Sequence, residues 1–370
     1  MKCVYFPARA LAALSFMALA APGLRAGFIQ TNLASDVTGL AANFDPNLKN
    51  PWGMSFSATS PFWVSNQGSD NSTLYTGTGA PQALIVTVPP TTGVPTGPTG
   101  QVFNSTTAFV EKDGSAASFI FDTLAGTIDA WNSGNGIPVG TAEQEASATG
   151  SYTGLAIDAT TERLYAANFA TGNIDVYNSS FGSTMVSGGF VDPNAMAGYA
   201  PYNIQEINGL LYVEYDEVNA MGRPQAGNGL GYVDVFDTNG VLQKRLITGG
   251  ALDAPWGITL APAGFGNFGG DLLVGNFGNG EINAFNATSG AFVGTITDNS
   301  GNPIVNDGLW ALDFRTGGAG VNPNALYFTA GINGEADGLF GSIATPEPGT
   351  WALGLAALTL LRYVRRRSRR

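Results

Sequence analysis

The sequence predicts an all-β chain: a six-bladed β-propeller of four-stranded blades, with the ring closed by the N-terminal strand. Three observations carry this. Glycine is abundant (51 of 370 residues), while only 12% of residues are charged, a profile of short strands joined by tight turns rather than amphipathic helices. A unit of strand, loop, strand, hairpin turn and strand recurs along the chain. Its clearest copy runs from Pro255-Trp256-Gly257-Ile258-Thr259-Leu260 through Asp271-Leu272-Leu273-Val274-Gly275-Asn276 to Glu281-Ile282-Asn283-Ala284-Phe285, with a fourth strand at 291–296. The period is about 49 residues, within the range for four-stranded propeller blades.

Taken in order, the first unit has strands at 52–57, 62–66, 72–77 and 83–88, followed by a Pro/Thr/Gly-rich link at 89–100 that reads as an exposed loop. The second has strands at 100–104, 118–122 and 126–131 and a weak fourth before Gly150. The third reads 152–158, 163–168, 173–177 and 184–190. The fourth reads 202–207, 210–215, 231–237 and 241–247, with a long insertion at 217–230 between its middle strands. The sixth has strands at 308–314, 325–330 and 338–343 and stops one strand short. Residues 28–33 form a strand with no neighbour of its own. Pairing it with the sixth unit joins two otherwise naked edges. A two-sheet sandwich is the structural alternative, but it explains the repeated Pro-Trp-Gly poorly.

Trp52, Trp256 and Trp310 start inner strands, where large rings fill the wedge between blades. Lining of a pocket is the second reading for them. Asn66, Asn168 and Asn276 end second strands just before turns, where an Asn side chain bonds local backbone.

Both ends of the chain read as addresses. Lys2 and Arg9 precede an 11-residue apolar run (11–21), so residues 1–26 are expected to be a signal peptide and residues 27–344 the exported domain. Residues 345–370 hold Pro346-Glu347-Pro348, an apolar run at 351–361, and then six arginines. Eleven residues of helix span about 16 Å, roughly half a bilayer core. The basic end is expected to stay cytoplasmic.

Composition removes several function classes. Residues 27–344 carry 7 Lys and Arg against 27 Asp and Glu, which opposes binding to a phosphate backbone, so no nucleic acid is expected as partner. Histidine is absent and the single cysteine, Cys3, lies in the leader. That excludes Ser-His-Asp and Cys-His catalysis and the usual zinc ligands. No catalytic constellation is recognisable. Oxygen ligands remain: Asn66, Asp122, Asn168, Asp216 and Asn276 fall at equivalent ends of second strands, and Glu214 shares a strand face with Asp216. These are weak candidates for a Ca2+ site, and otherwise they are solvated turn residues.

The tail, Pro346-Glu347-Pro348-Gly349-Thr350-Trp351 with its apolar run and arginines, resembles the PEP-CTERM sorting signal of Gram-negative bacteria. The resemblance implies an exosortase-type membrane protease as partner. It also implies transient membrane anchoring, cleavage near Pro346, Glu347 and Pro348, and transfer to the cell surface or an exopolysaccharide matrix. Residues 28–343 resemble an uncharacterised family of exported bacterial propellers. The matching stretches include Thr31-Asn32-Leu33-Ala34-Ser35-Asp36, Asn50-Pro51-Trp52-Gly53, Ala254-Pro255-Trp256-Gly257 and Asp307-Gly308-Leu309-Trp310. More distantly, the unit is similar to NHL repeats, which implies a binding scaffold. The expectation is therefore a surface or matrix protein that binds a glycan, protein or small ligand through its loops, residues 217–230 and 89–100 above all. A calcium-dependent hydrolase of the lactonase type at the propeller channel, and a purely structural matrix component, are the alternatives.

Overall fold

The computed structural model describes residues 27–89, 96–134 and 140–346. The expected signal peptide (1–26) and most of the sorting tail, Glu347 and Pro348 included, lie outside the described residues. Among the described residues no helix is long and apolar enough to cross a membrane.

Six antiparallel sheets form a ring. Blade one comprises Pro51–Ser55, Phe62–Asn66, Asn71–Tyr75 and Pro81–Thr87. Blade two comprises Pro98–Phe103, Phe119–Thr123, Thr127–Trp131 and Glu143–Ser147. Blade three comprises Tyr152–Asp158, Arg163–Asn168, Asn173–Tyr177 and the two-residue Ser183–Thr184. Blade four comprises Tyr199–Ile207, Leu210–Glu217, Tyr232–Asp237 and Leu242–Thr248. Blade five comprises Pro255–Leu260, Leu272–Asn276, Ile282–Phe285 and Phe292–Thr295. Blade six takes Leu309–Phe314, Ala325–Ala330 and Leu339–Ala344 from the end of the domain and Ile29–Ser35 from its start. Ile29 pairs with Ala344 and Ser35 with Leu339, so both edges that would be naked are covered. A two-residue strand, Asn43–Phe44, adds in parallel outside it.

Burial explains the blade order. Middle strands such as Phe62–Asn66 and Leu272–Asn276 are buried along their whole length, whereas the outer strands Pro81–Thr87 and Phe292–Thr295 face water. Each gap between neighbouring blades holds an apolar cluster: Trp63, Phe119 and Trp131 between blades one and two, Tyr165, Leu211 and Phe236 between three and four, and Leu273, Leu312 and Phe328 between five and six. First strands touch in sequence around the ring, and the sixth touches the first.

Two expectations need correction. Residues 98–100 are not exposed loop. Pro98, Thr99 and Gly100 are buried in the inner strand of blade two, where Thr99 Oγ1 donates to Asp122 Oδ1 at 2.7 Å and Gly100 N donates to the same oxygen at 2.5 Å. Residues 90–95 of that link lie outside the described residues. The fourth strand expected at 184–190 is cut to Ser183–Thr184, because Gly188 and Phe190 instead bond the Asn239–Gly240 turn of blade four.

Candidate binding site at the channel mouth

The inner strands carry a shared irregularity. Each breaks register with its neighbour at the same place, at Pro51/Met54, Pro98/Gln101, Tyr152/Leu155, Pro201/Asn203, Pro255/Gly257 and Leu309/Leu312. Such bulges bend a strand and re-aim its side chains. The third residue of each segment is small except in blade four: Gly53, Gly100, Gly154, Asn203, Gly257 and Ala311. A Cβ on Gly53 would stand 2.4 Å from the Thr99 carbonyl oxygen, and one on Gly257 2.2 Å from that of Trp310. Glycine there lets adjacent inner strands nearly touch. The channel is consequently pinched to a cavity of about 20 Å³ lined by all six inner strands. That leaves room for a water molecule and no more.

Immediately above the pinch sits an aromatic plug. Trp52 and Trp310 stack at 3.6 Å between ring centroids, and Trp256 packs edge-on to both at 6.0 and 5.5 Å. Tyr202 completes the layer, edge-on to Trp52 and Trp310, and Phe277 stacks on Trp310 at 4.4 Å. Offset and edge-to-face pairs of this kind add about 0.5–1.5 kcal/mol each beyond their burial. The tryptophans are thus core residues, but they meet one another at the channel axis, Trp52 and Trp256 from non-adjacent blades, and do not fill the wedges between blades. Trp52 and Trp310 also floor a pocket, which is the second reading of them.

That pocket has a volume of about 480 Å³. Trp52, Tyr202, Phe169, Phe277 and Trp310 form its floor and walls, and Ser151 and Thr153 supply hydroxyls. The blade-four insertion covers one side with Asn219, Met221, Gly222, Arg223 and Pro224, while Gln67 and Glu335 face it from blades one and six. Asn219 stiffens the insertion, its Oδ1 accepting from Met221 N and Arg223 N.

A buried amide ties floor to rim. Asn50 Oδ1 accepts from Trp310 Nε1 at 3.0 Å, and Asn50 Nδ2 donates to Gln67 Oε1 and to Glu335 Oε2, each at 2.9 Å. Asn50 sits at φ 43° and Glu335 at φ 69°. Left-handed backbone at non-glycine residues persists only where surrounding contacts enforce it, and it concentrates at functional positions. Desolvation raises the Glu335 pKa, and the hydrogen bond from Asn50 and then the charge of Arg223 partly offset this. Trp256 Nε1 finds the Thr153 carbonyl at 2.8 Å, but Trp52 Nε1 is a buried donor with no partner among the described residues.

The oxygen ligands expected from the sequence do not gather here. Asn66, Asp122, Asn168, Asp216 and Asn276 are all buried, and none lines the pinch, the pocket above it or the cavity of about 200 Å³ at the opposite end. Neither Asp122 nor Asp216 belongs to a group of three converging carboxylates among the described residues. Local work occupies the others. Asn168 Oδ1 accepts from Ser151 N and Thr171 N, which is the turn role. Asn276 Nδ2 bonds the Ala251 carbonyl, and Asn66 Nδ2 reaches Asn71 and Thr73 on the next strand. Burial pushes Asp122 and Asp216 up to about 7 and raises Glu214 well above the carboxylate range.

An uncharacterised protein of Acanthamoeba polyphaga mimivirus, R648, is 33% identical over 332 residues, which span 85% of this chain and 80% of its own. A second, L690, is 30% identical over 341 residues, 85% of each chain. The chain belongs to the family of these mimivirus proteins. Neither family member has an activity attached to its name. No family model matches the chain. A crystal structure of a protein of unknown function from Bacteroides thetaiotaomicron overlays at a TM-score of 0.54, with 13% identity, covering 86% of this chain and 76% of that one. At that identity the likeness shows the shared fold alone. The family's function must therefore be argued from the site.

Asn50, Gln67, Arg223 and Glu335 were missed as site residues. The insertion bearing Arg223 was visible as a length anomaly. Asn50 had a readable signal, since it directly precedes a repeated Pro-Trp-Gly.

Proposed function

We propose that this chain is a binding protein that holds a saccharide-sized ligand at the aromatic mouth of its channel. The carrying observation is the pocket of about 480 Å³, in the usual range for small-ligand sites, with an apolar floor and a few convergent polar groups. The half-buried Phe277 ring and the exposed part of Trp52 suit the C–H face of a sugar ring. Gln67, Asn219, Arg223 and Glu335 suit its hydroxyls. Among the described residues a single carboxylate, Glu335, lines the pocket. Glycoside hydrolysis ordinarily uses two, so binding without turnover fits the residues better.

Export and sorting complete the proposal and rest on the terminal residues alone. Residues 1–26 direct the chain across the inner membrane. An exosortase-type protease cuts near Pro346, Glu347 and Pro348, and the propeller is released to the cell surface or an exopolysaccharide matrix. There its ligand is a fragment of that polysaccharide or a glycan on a surface protein.

The test is titration with exopolysaccharide fragments of two to four sugar units, followed by tryptophan fluorescence. Saturable quenching is expected, with affinity about tenfold weaker in Arg223→Ala, which removes one charge-assisted hydrogen bond. Its melting temperature should match the parent because Arg223 is exposed. Flat fluorescence up to millimolar fragment overturns the reading.

A further inference from the structure

We propose that the outer edge of blade two binds one calcium ion through Glu111, Glu143 and Glu145. Glu143 and Glu145 lie two apart on the outer strand Glu143–Ser147, which puts them on one face. The register shift between Gln144 and Ala146 turns Glu145 at that point. Glu111 comes from the loop between the first and second strands of the same blade. A small hairpin holds it, in which Glu111 N donates to the Ser115 carbonyl and Gly114 N to the Glu111 carbonyl. One oxygen from each of the three carboxylates lies within 4.8 Å of the others.

Three acidic residues near one another are common on acidic proteins. Glu111 is what sets this group apart. Glu111 is 3% exposed, and neither of its carboxylate oxygens has a hydrogen-bond partner among the described residues. The Asn132 amide approaches without completing a bond of normal geometry, and its own nitrogen is likewise unpaired. Asp113, Glu143 and Glu145 all act on Glu111 as like charges. Lys112 serves the other side of the group, with Nζ 3.4 Å from Glu143 Oε1 and 2.6 Å from the Gln144 carbonyl. Three carboxylates and one ammonium leave two negative charges facing each other around a buried, unsatisfied group. An uncompensated buried carboxylate is costly; burial raises Glu111 to about 7, so a proton removes part of the cost near neutral pH, and a divalent cation removes it for all three carboxylates together.

The donor set selects the ion. Oxygen ligands without imidazole or thiolate belong to hard cations. Calcium takes six to eight oxygens in flexible geometry, whereas magnesium demands a near-ideal octahedron and gives up its waters reluctantly, so three carboxylates carried by a loop and an edge strand favour calcium. Glu143 and Glu145 are half-exposed, so the ion and its waters can enter from solvent. The bound ion would clamp the long loop bearing Glu111 to the blade's edge strand.

The experiment uses the full chain stripped with chelator, with calcium chloride as titrant in a calorimeter and melting curves alongside. Expected are one binding site and a rise in melting temperature of about 4 °C at ~100-fold excess over Kd. Magnesium should give smaller heat. Glu145→Gln, on the half-exposed strand, should weaken binding about tenfold or more. Glu111→Gln should abolish binding and, in chelator, melt at or above the parent, because it removes a repulsive buried charge. No heat and no shift in the parent overturn the proposal. So do calcium affinity unchanged in both variants, magnesium binding as tight as calcium, or Glu111→Gln melting below the parent in chelator.

Discussion

The propeller should become more stable as pH falls from 7.5 to 5.5. Asp122, Asp129 and Asp216 are fully buried, and desolvation pushes each up to about 7. In the unfolded chain each returns to about 3.9. Between those values the folded state holds a proton that the unfolded state has released. The stability contributed by each group is therefore complete below about pH 4 and is lost as pH rises through about 7. The slope is about −1.4 kcal/mol per pH unit for each group that titrates in this window. For a ring of roughly 320 residues, 1.4 kcal/mol corresponds to about 2 °C. Melting temperature should thus climb by about 2 °C per unit of acidification for one group and about 6 °C if all three act. Differential scanning calorimetry in chelator reads this, the chelator silencing any cation whose binding would strengthen with pH. Repulsion among the 27 acidic groups of the domain has the same sign. Salt at about 1 M shortens screening to about 3 Å and removes that surface share while sparing the buried one. Asp122→Asn, which keeps an acceptor for Thr99 Oγ1 and Gly100 N, should flatten the slope by about 2 °C per unit. A melting temperature that is level or falls on acidification in high salt refutes the reasoning.

Two further perturbations probe the ring. Gly257→Ala drives a Cβ to 2.2 Å from the Trp310 carbonyl oxygen, backbone against side chain with no rotamer to escape into. It should cost about 3 kcal/mol or more in urea denaturation, and a loss under about 1 kcal/mol would show the pinch to be soft. Arg245 bonds Asp234 at 2.9 Å, pairs with Asp192 and lies 3.8 Å over the Tyr232 ring. Arg245→Met strands both carboxylates and should cost about 3–5 kcal/mol at pH 8. The loss should be less at pH 5, where Asp234, pushed up to about 6, can take a proton. Equal losses at both pH values would contradict the assignment.

Most of the ring was legible because a propeller writes its architecture locally. Each blade needs apolar alternation, a tight turn and a bulged inner strand. These requirements surface as Pro-Trp-Gly at 51–53 and 255–257 and as Asn at the ends of second strands. Ring closure was legible for a different reason: an orphan strand at one end and a unit lacking a strand at the other have one economical solution. The failures share a cause as well. Thr99 and Gly100 looked like loop because Thr, Gly and Pro are turn-formers, yet the inner ring needs small residues where strands converge. The site residues Asn50, Gln67, Arg223 and Glu335 lie up to 285 residues apart in sequence. Glu111 pairs with Glu143 and Glu145 only through the fold of one long loop. No periodicity links such positions, so their convergence is a property of the closed ring.

The site appears where the six-fold repeat is broken. Four inner strands place an aromatic ring at the second position of the bulged segment: Trp52, Tyr202, Trp256 and Trp310. Blades two and three place Thr99 and Thr153 there instead. Six large rings would fill the mouth, whereas four leave it open on the side of blades two and three, where Leu124, Ser151, Thr153 and Phe169 line the pocket. The two longest connections between second and third strands close around that opening: residues 218–231, which bear Arg223, and residues 331–338, which hold the left-handed turn Asn333-Gly334-Glu335. Asn50 then ties the turn to the indole of Trp310. The repeat therefore accounts for stability and the pinch, and its exceptions account for a concave, polar-rimmed space above an aromatic floor. Filling the gap tests this division directly. Thr153→Trp should leave the fold intact, because the new ring enters open volume, and should abolish fragment binding. Retained binding with an unchanged fluorescence response would place the ligand elsewhere.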